Sequence, residues 1–401
     1  MKRRNFALAA TLLGSFVATS FLSGCGNMAT TPQANNSAES KPLQAQLDAK
    51  WFKLPTEAYK GKQDDVFFLN EKLGFYVNGQ GKIYRSQDGG LSWKLVLNQK
   101  GTYFRAIGMV DEKHGYAGNI GTDYFPGVTD ETPLYETEDG GDSWHAVKNL
   151  PGTPVKGICA IDILQSRFIN AGNLDQRTII HAGGRVGSPA QLLRSLDGGK
   201  NWTKIDMSKW VSMIVDVKFF DEMNGIVFAG SDPEIERSHA LIVATHDGGK
   251  TWEKVYQSQR AFEMTWKGSF PSREVGYATI QNYSSDKNET QRYIVKTVDG
   301  GNSWKEMPLV KDAAVREFGV GFANEQLGWV GTTQGGFETR DGGASWQKVE
   351  IGRYINKIRI LPDGKGSFSA YAIGADLYKF GIVPAKLPKA PEALPATVGK
   401  P

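Results

Sequence analysis

Short runs of alternating apolar and polar residues recur along the chain, and turns rich in glycine and aspartate separate them. Examples are KIYRS at 82–86, LIVATH at 241–246 and YIVKTV at 293–298. Alternation with a period of two places every second side chain on the same face, which is typical of a half-buried β-strand. Many such strands between short turns predict an all-β chain.

One nine-residue pattern follows these runs and occurs six times. It reads RSQDGGLSW at 85–93, and the other copies read ETEDGGDSW, RSLDGGKNW, ATHDGGKTW, KTVDGGNSW and ETRDGGASW. The aspartates of the six copies are Asp88, Asp139, Asp197, Asp247, Asp299 and Asp341, at intervals of 51, 58, 50, 52 and 42 residues. A period of about 50 residues is typical of four-stranded propeller blades.

The residues of this box indicate a hairpin turn rather than a catalytic loop. Another alternating run follows the tryptophan, such as KLVL after Trp93. Aspartate accepts backbone N–H groups within a turn, glycine adopts positive φ, and a hydroxyl adds a local hydrogen bond. The tryptophan ring packs into the blade. Each box is therefore predicted to join two strands of one blade.

A second repeat precedes most boxes and helps to count the blades. NEKLGFYVNG from 70, DEMNGIVFAG from 221 and NEQLGWVG from 324 are three of its copies. The third unit is irregular, with RTIIHAGG at 177–184 as the best match and an insertion that explains the long interval. A seventh unit, at 361–381, has no box and lacks a fourth strand.

The missing strand is predicted to come from the other end of the chain. WFKLP at 51–55 matches the segments that follow the boxes, although no box precedes it. We therefore predict a seven-bladed β-propeller of four-stranded blades, closed when strand 51–55 joins the C-terminal blade, because closure removes long exposed edges. Seven of the ten tryptophans then hold equivalent positions. A six-bladed ring with unpaired termini is the alternative.

The segments outside the propeller, which is predicted at 51–382, have a different character. Residues 1–24 combine a basic start with an apolar stretch too short to span a bilayer comfortably, and predict a signal peptide that is cut before Cys25. Residues 25–50 are polar and small and predict a flexible tether. Residues 383–401 contain proline every few positions and predict a disordered tail.

LSGC at 22–25 resembles the lipobox of bacterial lipoproteins, in which the cysteine carries the lipid. The resemblance implies a lipid-anchored protein on the extracytoplasmic side of the cell envelope. Gly26 favours the outer membrane in a Gram-negative cell, and in a photosynthetic organism the protein would face the thylakoid lumen. An ordinary secretory signal with an incidental cysteine is the alternative.

Composition and charge exclude several classes of function. With 47 glycines, 2 cysteines and 5 histidines, the chain is neither a disulfide scaffold nor a histidine-rich metal protein. Removal of residues 1–24 lowers the basic residues from 47 to 44 against 43 acidic ones, so bulk charge gives no argument for nucleic acid. Cys159 lies in the apolar run GICAIDI and is predicted to be a buried small hydrophobic residue.

The box resembles the Asp-box, or bacterial neuraminidase repeat, of sialidases, sortilin-like receptors, xyloglucan-active glycosidases and photosystem II assembly factors. Together with the second repeat it resembles the photosystem II stability/assembly factor family over nearly the whole folded body. The resemblance implies a monomeric, non-catalytic scaffold without cofactor or metal, which binds a membrane-protein client through the face opposite the Asp-boxes. The longer tether, the proline-rich tail and the irregular third blade depart from the family pattern.

Candidate catalytic chemistry is sparse. The sequence has no sialidase F-R-I-P signature, phosphate loop, nucleophile elbow or redox CxxC, and its histidines have no metal-ligand spacing. Acidic residues outside the boxes could form the carboxylate pair of a glycosidase; they include Asp64, Asp65, Asp123, Asp216 and Glu317. A carbohydrate-active propeller, either a glycoside hydrolase or a glycan-binding lipoprotein, is therefore the alternative function.

A basic residue recurs where the innermost strand of each blade is predicted to begin. These residues are Lys62, Arg105, Lys156, Lys209, Arg260, Arg316 and Arg353. They are expected on the face opposite the boxes, as a positive ring that suits an acidic protein segment or an anionic headgroup. Arg185, Arg237 and Arg292 are candidate extensions of this ring, and Tyr124, Tyr283 and Trp210 are candidate aromatic anchors.

The lipobox gives a direct test. Cys25→Ala should abolish lipidation, because the thiol is the attachment atom. Mass spectrometry of the protein from membranes should then show the loss of the lipid mass, and the variant should leave the membrane fraction. An unchanged mass would support the ordinary secretory signal.

Overall fold

A computed structural model describes residues 49–152, 155–170, 173–184 and 189–390. The predicted signal peptide, Cys25, the tether up to residue 48, Arg185 and the tail beyond residue 390 lie outside these ranges. The described residues form 28 strands in seven four-stranded sheets, and the propeller belongs to the compact unit Ala45–Pro401. Within these ranges no helix is long and apolar enough to cross a bilayer.

Six blades take their four strands consecutively from the chain. Blade 1 contains β2 Asp65–Phe68, β3 Gly74–Val77, β4 Lys82–Ser86 and β5 Lys94–Asn98. Blade 2 contains β6 Phe104–Met109, β7 Gly115–Asn119, β8 Leu134–Thr137 and β9 His145–Ala146. Blade 3 contains β10 Ala160–Asn170, β11 Asn173–Gly184, β12 Gln191–Ser195 and β13 Thr203–Asp206. Blade 4 contains β14 Met213–Phe219, β15 Gly225–Gly230, β16 Ala240–Thr245 and β17 Glu253–Gln257. Blade 5 contains β18 Glu263–Ser269, β19 Gly276–Asn282, β20 Gln291–Thr297 and β21 Lys305–Lys311. Blade 6 contains β22 Glu317–Phe322, β23 Gly328–Thr332, β24 Gly336–Thr339 and β25 Gln347–Val349.

The seventh blade is built from both ends of the propeller. It contains β26 Lys357–Pro362, β27 Phe368–Ile373, β28 Leu377–Gly381 and β1 Lys50–Lys53. β1 runs antiparallel to β28, with Trp51 opposite Phe380. The first strand of every blade contacts the first strands of both neighbouring blades, including β26 with β2, so the ring is closed. The prediction of seven blades is confirmed, and the six-bladed alternative is wrong.

Burial follows the distance of each strand from the axis. The first strands β6 and β22 are buried along their whole length, whereas the fourth strands β5 and β17 are mostly exposed or half-buried. A strand that packs on both faces needs a continuous apolar run, and an outer strand needs only one apolar face. This gradient explains why Pro308 is tolerated in an outer strand.

The six boxes are turns between the third and fourth strands, as predicted. In blade 2 the carboxylate of Asp139 accepts hydrogen bonds from the backbone N–H and the hydroxyl of Ser143 at 2.9 and 2.6 Å, and from the Thr137 hydroxyl at 2.9 Å. These bonds from Ser143 lower the pKa of Asp139 to about 2. Asp88 makes the same set of bonds with Ser92 and Ser86. The carboxylate holds the turn together.

The two glycines of each box have separate requirements. In blade 1, Gly89 and Gly90 have φ of 74° and 91°, a region that residues with a side chain rarely adopt. A Cβ on Gly90 would lie 2.7 Å from a side-chain carbon of Leu54, which follows β1 of the neighbouring blade. The carbonyl of Gly89 accepts a hydrogen bond from Lys379 of that blade at 3.2 Å. The box therefore fixes its turn and also joins its blade to the one before it.

The boxes define two faces of the propeller. Because strands alternate in direction, the turn between the third and fourth strands lies at one end of the blade, which we call the box face. The first strand of each blade begins at the opposite end, which we call the ring face. β28 ends at Gly381 opposite the start of β1 at Lys50, so both ends of the propeller lie on the box face.

Two segments depart from the regular blade. β10 and β11 pair over their whole length, from Ala160 with Gly183 to Asn170 with Asn173, and so extend blade 3 beyond the length of its neighbours. This long hairpin is the insertion expected in the third unit. In the described part of the proline-rich tail, Leu387 packs against a core cluster that includes Leu54 and Trp93.

The box geometry predicts a structural role for its aspartate. Asp88→Ala should lower the free energy of unfolding by about 1–2 kcal/mol, because it removes hydrogen bonds to a charged acceptor in a half-exposed turn. Thermal unfolding checks the loss of stability. The affinity of the folded fraction for a ligand on the ring face should not change, and a large loss of that affinity would contradict the structural role.

Candidate functional site

All seven predicted basic residues lie at the ring-face ends of the first strands. Arg105 is the second residue of β6, and the other six precede their strands by one to four residues. The chain order of the blades therefore distributes one cation to each blade around the channel mouth. Their exposure differs strongly: Lys156, Lys209 and Arg353 are exposed, Lys62, Arg260 and Arg316 are half-buried, and Arg105 is buried.

Lys62 and Arg105 share one buried acid. The Asp64 Oδ1 atom lies 2.8 Å from Lys62 Nζ and 3.2 Å from Arg105 Nη1, and the Asp64 side chain has no exposed surface. Burial lowers the pKa of Lys62 to about 8, although the nearby Asp64 carboxylate opposes this shift. Arg105 Nε and Nη2 have no hydrogen-bond partner among the described residues. These two cations belong to the wall of the channel rather than to its rim.

Two further ring cations are paired with acids. Arg260 binds Glu263 at 2.7 Å and Glu306 at 2.9 Å, and its guanidinium lies 4.5 Å from the ring centroid of Tyr293. Lys156 lies 3.1 Å from Asp123. Among the described residues, four carboxylates lie within ion-pair distance of the ring cations, those of Asp64, Asp123, Glu263 and Glu306.

Three ring cations have no carboxylate within ion-pair distance among the described residues. They are Lys209, Arg316 and Arg353. Lys209 lies 5.5 Å from the ring of Trp210. Arg316 stacks over Tyr283 at 4.4 Å and donates to the Asn282 carbonyl at 3.3 Å. Since both cations rest on aromatic faces, their charge stays available to a ligand.

The proposed extensions have different environments. Arg237 is exposed and pairs with Asp232 at 2.9 Å. Arg292 is 2% exposed, and its guanidinium donates to the carbonyls of Val315, Glu289 and Ala313. Arg292 therefore holds loops together and does not face the mouth as a free cation. Arg185 lies outside the described residues.

Trp266 lies in the channel on the first strand of blade 5 and was not singled out from the sequence. It belongs to β18, and its indole N–H donates to Asn356 at 3.0 Å, which in turn donates to the Asp64 carbonyl at 2.7 Å. Lys62 and Arg105 lie 5.8 and 5.5 Å from its ring. One signal was present: Trp266 is one of two tryptophans, with Trp210, that belong to neither sequence repeat.

Apolar residues surround Trp266 at the mouth. Cys159, Met213, Met264 and Phe318 form a buried cluster with it, which confirms the burial of Cys159. Three partly buried side chains from the long loops between second and third strands pack against this cluster: Phe125, Ile235 and Tyr283. Of the predicted anchors, Tyr283 belongs here, Tyr124 is 47% exposed beside Phe125, and Trp210 packs against a core cluster of blades 3 and 4.

The acids proposed as a catalytic pair are mostly bound to cations. Asp65 lies 3.1 Å from Arg359, and Asp216 lies 3.1 Å from Lys357. The attraction of Lys267 and Lys357 lowers the pKa of Asp216, against the effect of burial. A cavity of about 270 Å³ reaches Asp216 and Arg359 from the far end of the channel. Among the described residues no group of His, Cys, Asp and Glu side chains is arranged to hold a metal ion.

Glu317 is the exception among these acids. It is completely buried next to Arg316, and neither carboxyl oxygen has a hydrogen-bond partner among the described residues. Burial raises the pKa of Glu317 to about 8. The raised pKa favours the neutral form of this side chain at pH 7.

The strand order defines a seven-bladed β-propeller of four-stranded blades. No protein-family model and no curated protein matches the sequence. Among solved structures, the chain is similar to YCF48 bound to D1 peptide, with a TM-score of 0.57, 16% identity, and coverage of 84% of this chain and 97% of that one. The chain is also similar to YCF48 from Cyanidioschyzon merolae, with a TM-score of 0.55 and 14% identity. That match covers 83% of this chain and 98% of the YCF48 chain.

The same fold occurs in enzymes. The chain is similar to the GH74 xyloglucanase from Xanthomonas campestris, with a TM-score of 0.56 and 12% identity. The match covers 86% of this chain and 55% of the xyloglucanase chain. The protein thus spans about half the length of the xyloglucanase. At these identities the similarity shows the shared fold and leaves the function open.

The state of Glu317 predicts a pH dependence of stability. A carboxyl whose pKa is raised in the fold contributes stability below its unfolded value, near 4.5, and that contribution is lost as pH rises through about 8. Glu317→Gln should therefore raise the melting temperature by roughly 2–5 °C at pH 8 and above, and much less near pH 5. Thermal unfolding across pH checks this. An equal effect at both pH values would contradict a titrating Glu317.

Proposed function

We propose that the protein is a non-catalytic scaffold that binds an acidic segment of a membrane-protein client through the ring face. The observation that carries this proposal is the charge at the mouth. Each blade supplies one basic residue; four of the seven are paired with carboxylates, whereas Lys209, Arg316 and Arg353 have no carboxylate within ion-pair distance among the described residues. The ring face thus carries three cations whose charge no ion pair neutralises.

The chemistry of the mouth suits an acidic polypeptide. Lys209 and Arg316 offer charges that no carboxylate neutralises among the described residues, and Arg316 can pair with a carboxylate in a bidentate manner. Arg316 stacks on Tyr283, which is partly buried against the apolar cluster around Trp266 and Phe318, so a segment with acidic and apolar residues would find a cation and an aromatic ring together. Aromatic and arginine side chains are the usual centres of binding energy at protein interfaces.

The similarity to YCF48 bound to D1 peptide supports the same proposal, since that propeller binds a polypeptide. The predicted lipid at Cys25 would hold the scaffold at a membrane of the cell envelope, on its extracytoplasmic side. There the scaffold would act as an assembly factor for its client, or beside an envelope complex. No cofactor is part of the proposal.

The carbohydrate-active alternative rests on the fold shared with the GH74 xyloglucanase. A glycosidase needs two carboxyl groups that reach the same sugar. Asp64, Asp65 and Asp216 are each paired with a cation, and Glu317 has no exposed surface. Turnover of xyloglucan or sialosides by the purified protein would overturn the non-catalytic proposal.

Charge reversal tests the ring face directly. Lys209→Glu combined with Arg316→Glu should weaken the binding of short acidic peptides about tenfold or more, because both substitutions replace attraction by repulsion. Fluorescence anisotropy with labelled peptides measures the affinity, and added salt should weaken wild-type binding. Equal affinity of the wild type and the double variant would refute the proposal.

Lys250→Glu is the matched control. Lys250 is exposed in the box of blade 4, so the substitution changes the net charge in the same direction on the opposite face. Its affinity should equal that of the wild type. Thermal unfolding of all variants verifies that the loss of binding does not come from loss of the fold.

A further inference from the structure

A second feature of the ring face lies away from the channel axis, between blades 6 and 7. A cleft of about 700 Å³ opens there, and its walls come from the turn between β23 and β24, from the segment after β25, and from β28. Thr333, Gly335, Gly352, Arg353 and Tyr378 are among the lining residues. Its volume falls in the range of sites that bind small molecules and short segments.

The backbone next to this cleft is strained. Positive φ outside glycine occurs among the described residues at Phe262 and Tyr354, with φ of 61° and 55°, and both lie on the ring face. Residues with a side chain adopt this region at an energetic cost, and such residues cluster at functional sites.

The surroundings hold Tyr354 in this conformation. Its N–H donates to the Thr333 carbonyl of blade 6 at 3.2 Å, and the carbonyl of Arg353 accepts the N–H of Ala375 of blade 7 at 2.9 Å. The segment is thus held from both sides, and the strain cannot relax by a local shift. Glycine or asparagine would satisfy the same backbone at lower cost.

The packing of the Tyr354 ring does not explain why its backbone is held at positive φ. It meets Phe318 edge-on at 6.4 Å, yet the residue remains 43% exposed. Next to it, Arg353 is exposed and has no carboxylate within ion-pair distance among the described residues. Arg353 thus lines the cleft, and the next residue, Tyr354, has an exposed ring that contacts Phe318 of the channel-mouth cluster.

We propose that an extended segment of the client polypeptide runs from this cleft towards the channel mouth, with a carboxylate on Arg353 in the cleft and an apolar or aromatic side chain against Tyr354 beside it. The inference rests on the proposed function and locates part of the contact outside the channel mouth. A polypeptide fits better than a purely anionic ligand because the cleft offers both charges: Lys348 and Arg353 face Asp312 and Glu350. Its glycine-rich walls leave main chain near the ligand, which suits backbone hydrogen bonds to an extended peptide.

Tyr354→Gly separates binding from folding. Glycine adopts positive φ freely, so the variant should be at least as stable as the wild type in thermal unfolding, while the contact ring is lost. With short, capped, labelled peptides that carry Asp or Glu beside Phe, Tyr or Leu, its affinity should fall about tenfold. Hydrogen exchange of the wild type should show peptide-induced protection at 333–337 and 348–354. Lys250→Glu again serves as the control.

The outcomes distinguish this inference from the proposed function. If Tyr354→Gly binds the peptides like the wild type, while Lys209→Glu with Arg316→Glu weakens them, the cleft is not a contact site and the proposed function stands. If the wild type binds none of these peptides, or binds xyloglucan fragments in the cleft instead, the proposed function fails and this inference with it.

Discussion

The structure depends on one repeated interaction, in which the carboxylate of the box accepts hydrogen bonds from two side-chain donors and a backbone N–H of its own turn. In blade 2 these bonds fix the turn around Asp139, and in blade 1 the turn around Asp88 presents the Gly89 carbonyl to the preceding blade. Arg85 binds the Gly140 carbonyl in the same way at 2.7 Å. The carboxylate of each box satisfies the polar groups of its own turn, and the boxes of blades 1, 2, 3 and 6 also accept a hydrogen bond from the preceding blade.

The channel is filled with charges that must be paired where water is excluded. Burial of a lone carboxylate is costly, so Asp216 has Lys357 at 3.1 Å and Lys267 at 3.9 Å, and Asp64 has Lys62 and Arg105. Most of the basic residues near the axis take part in these ion pairs. The cations that remain free, such as Lys209, lie farther out, which places the positive charge at the rim of the channel rather than in its centre.

Much of the fold could be predicted because it is written as a repeat. Six boxes at blade spacing, and a strand at Trp51 that matches the segments after the boxes, required seven blades and the closure of β1 on β28. The position of the seven cations at the starts of the first strands followed from the same register. The burial and ion pairing of these cations did not follow, because the sequence does not show which acid of a distant blade approaches which cation.

The sequence by itself determined the architecture, the closure of the ring and the face on which each loop lies, since these depend on local patterns and on the alternating direction of strands. Only the tertiary structure decided that Arg105 and Arg292 are buried, that Trp266 spans the channel, and that Tyr354 is strained beside a cleft. These properties arise where residues far apart in the chain meet around the axis. Burial and pairing at such places depend on the distances between blades, which no local pattern encodes.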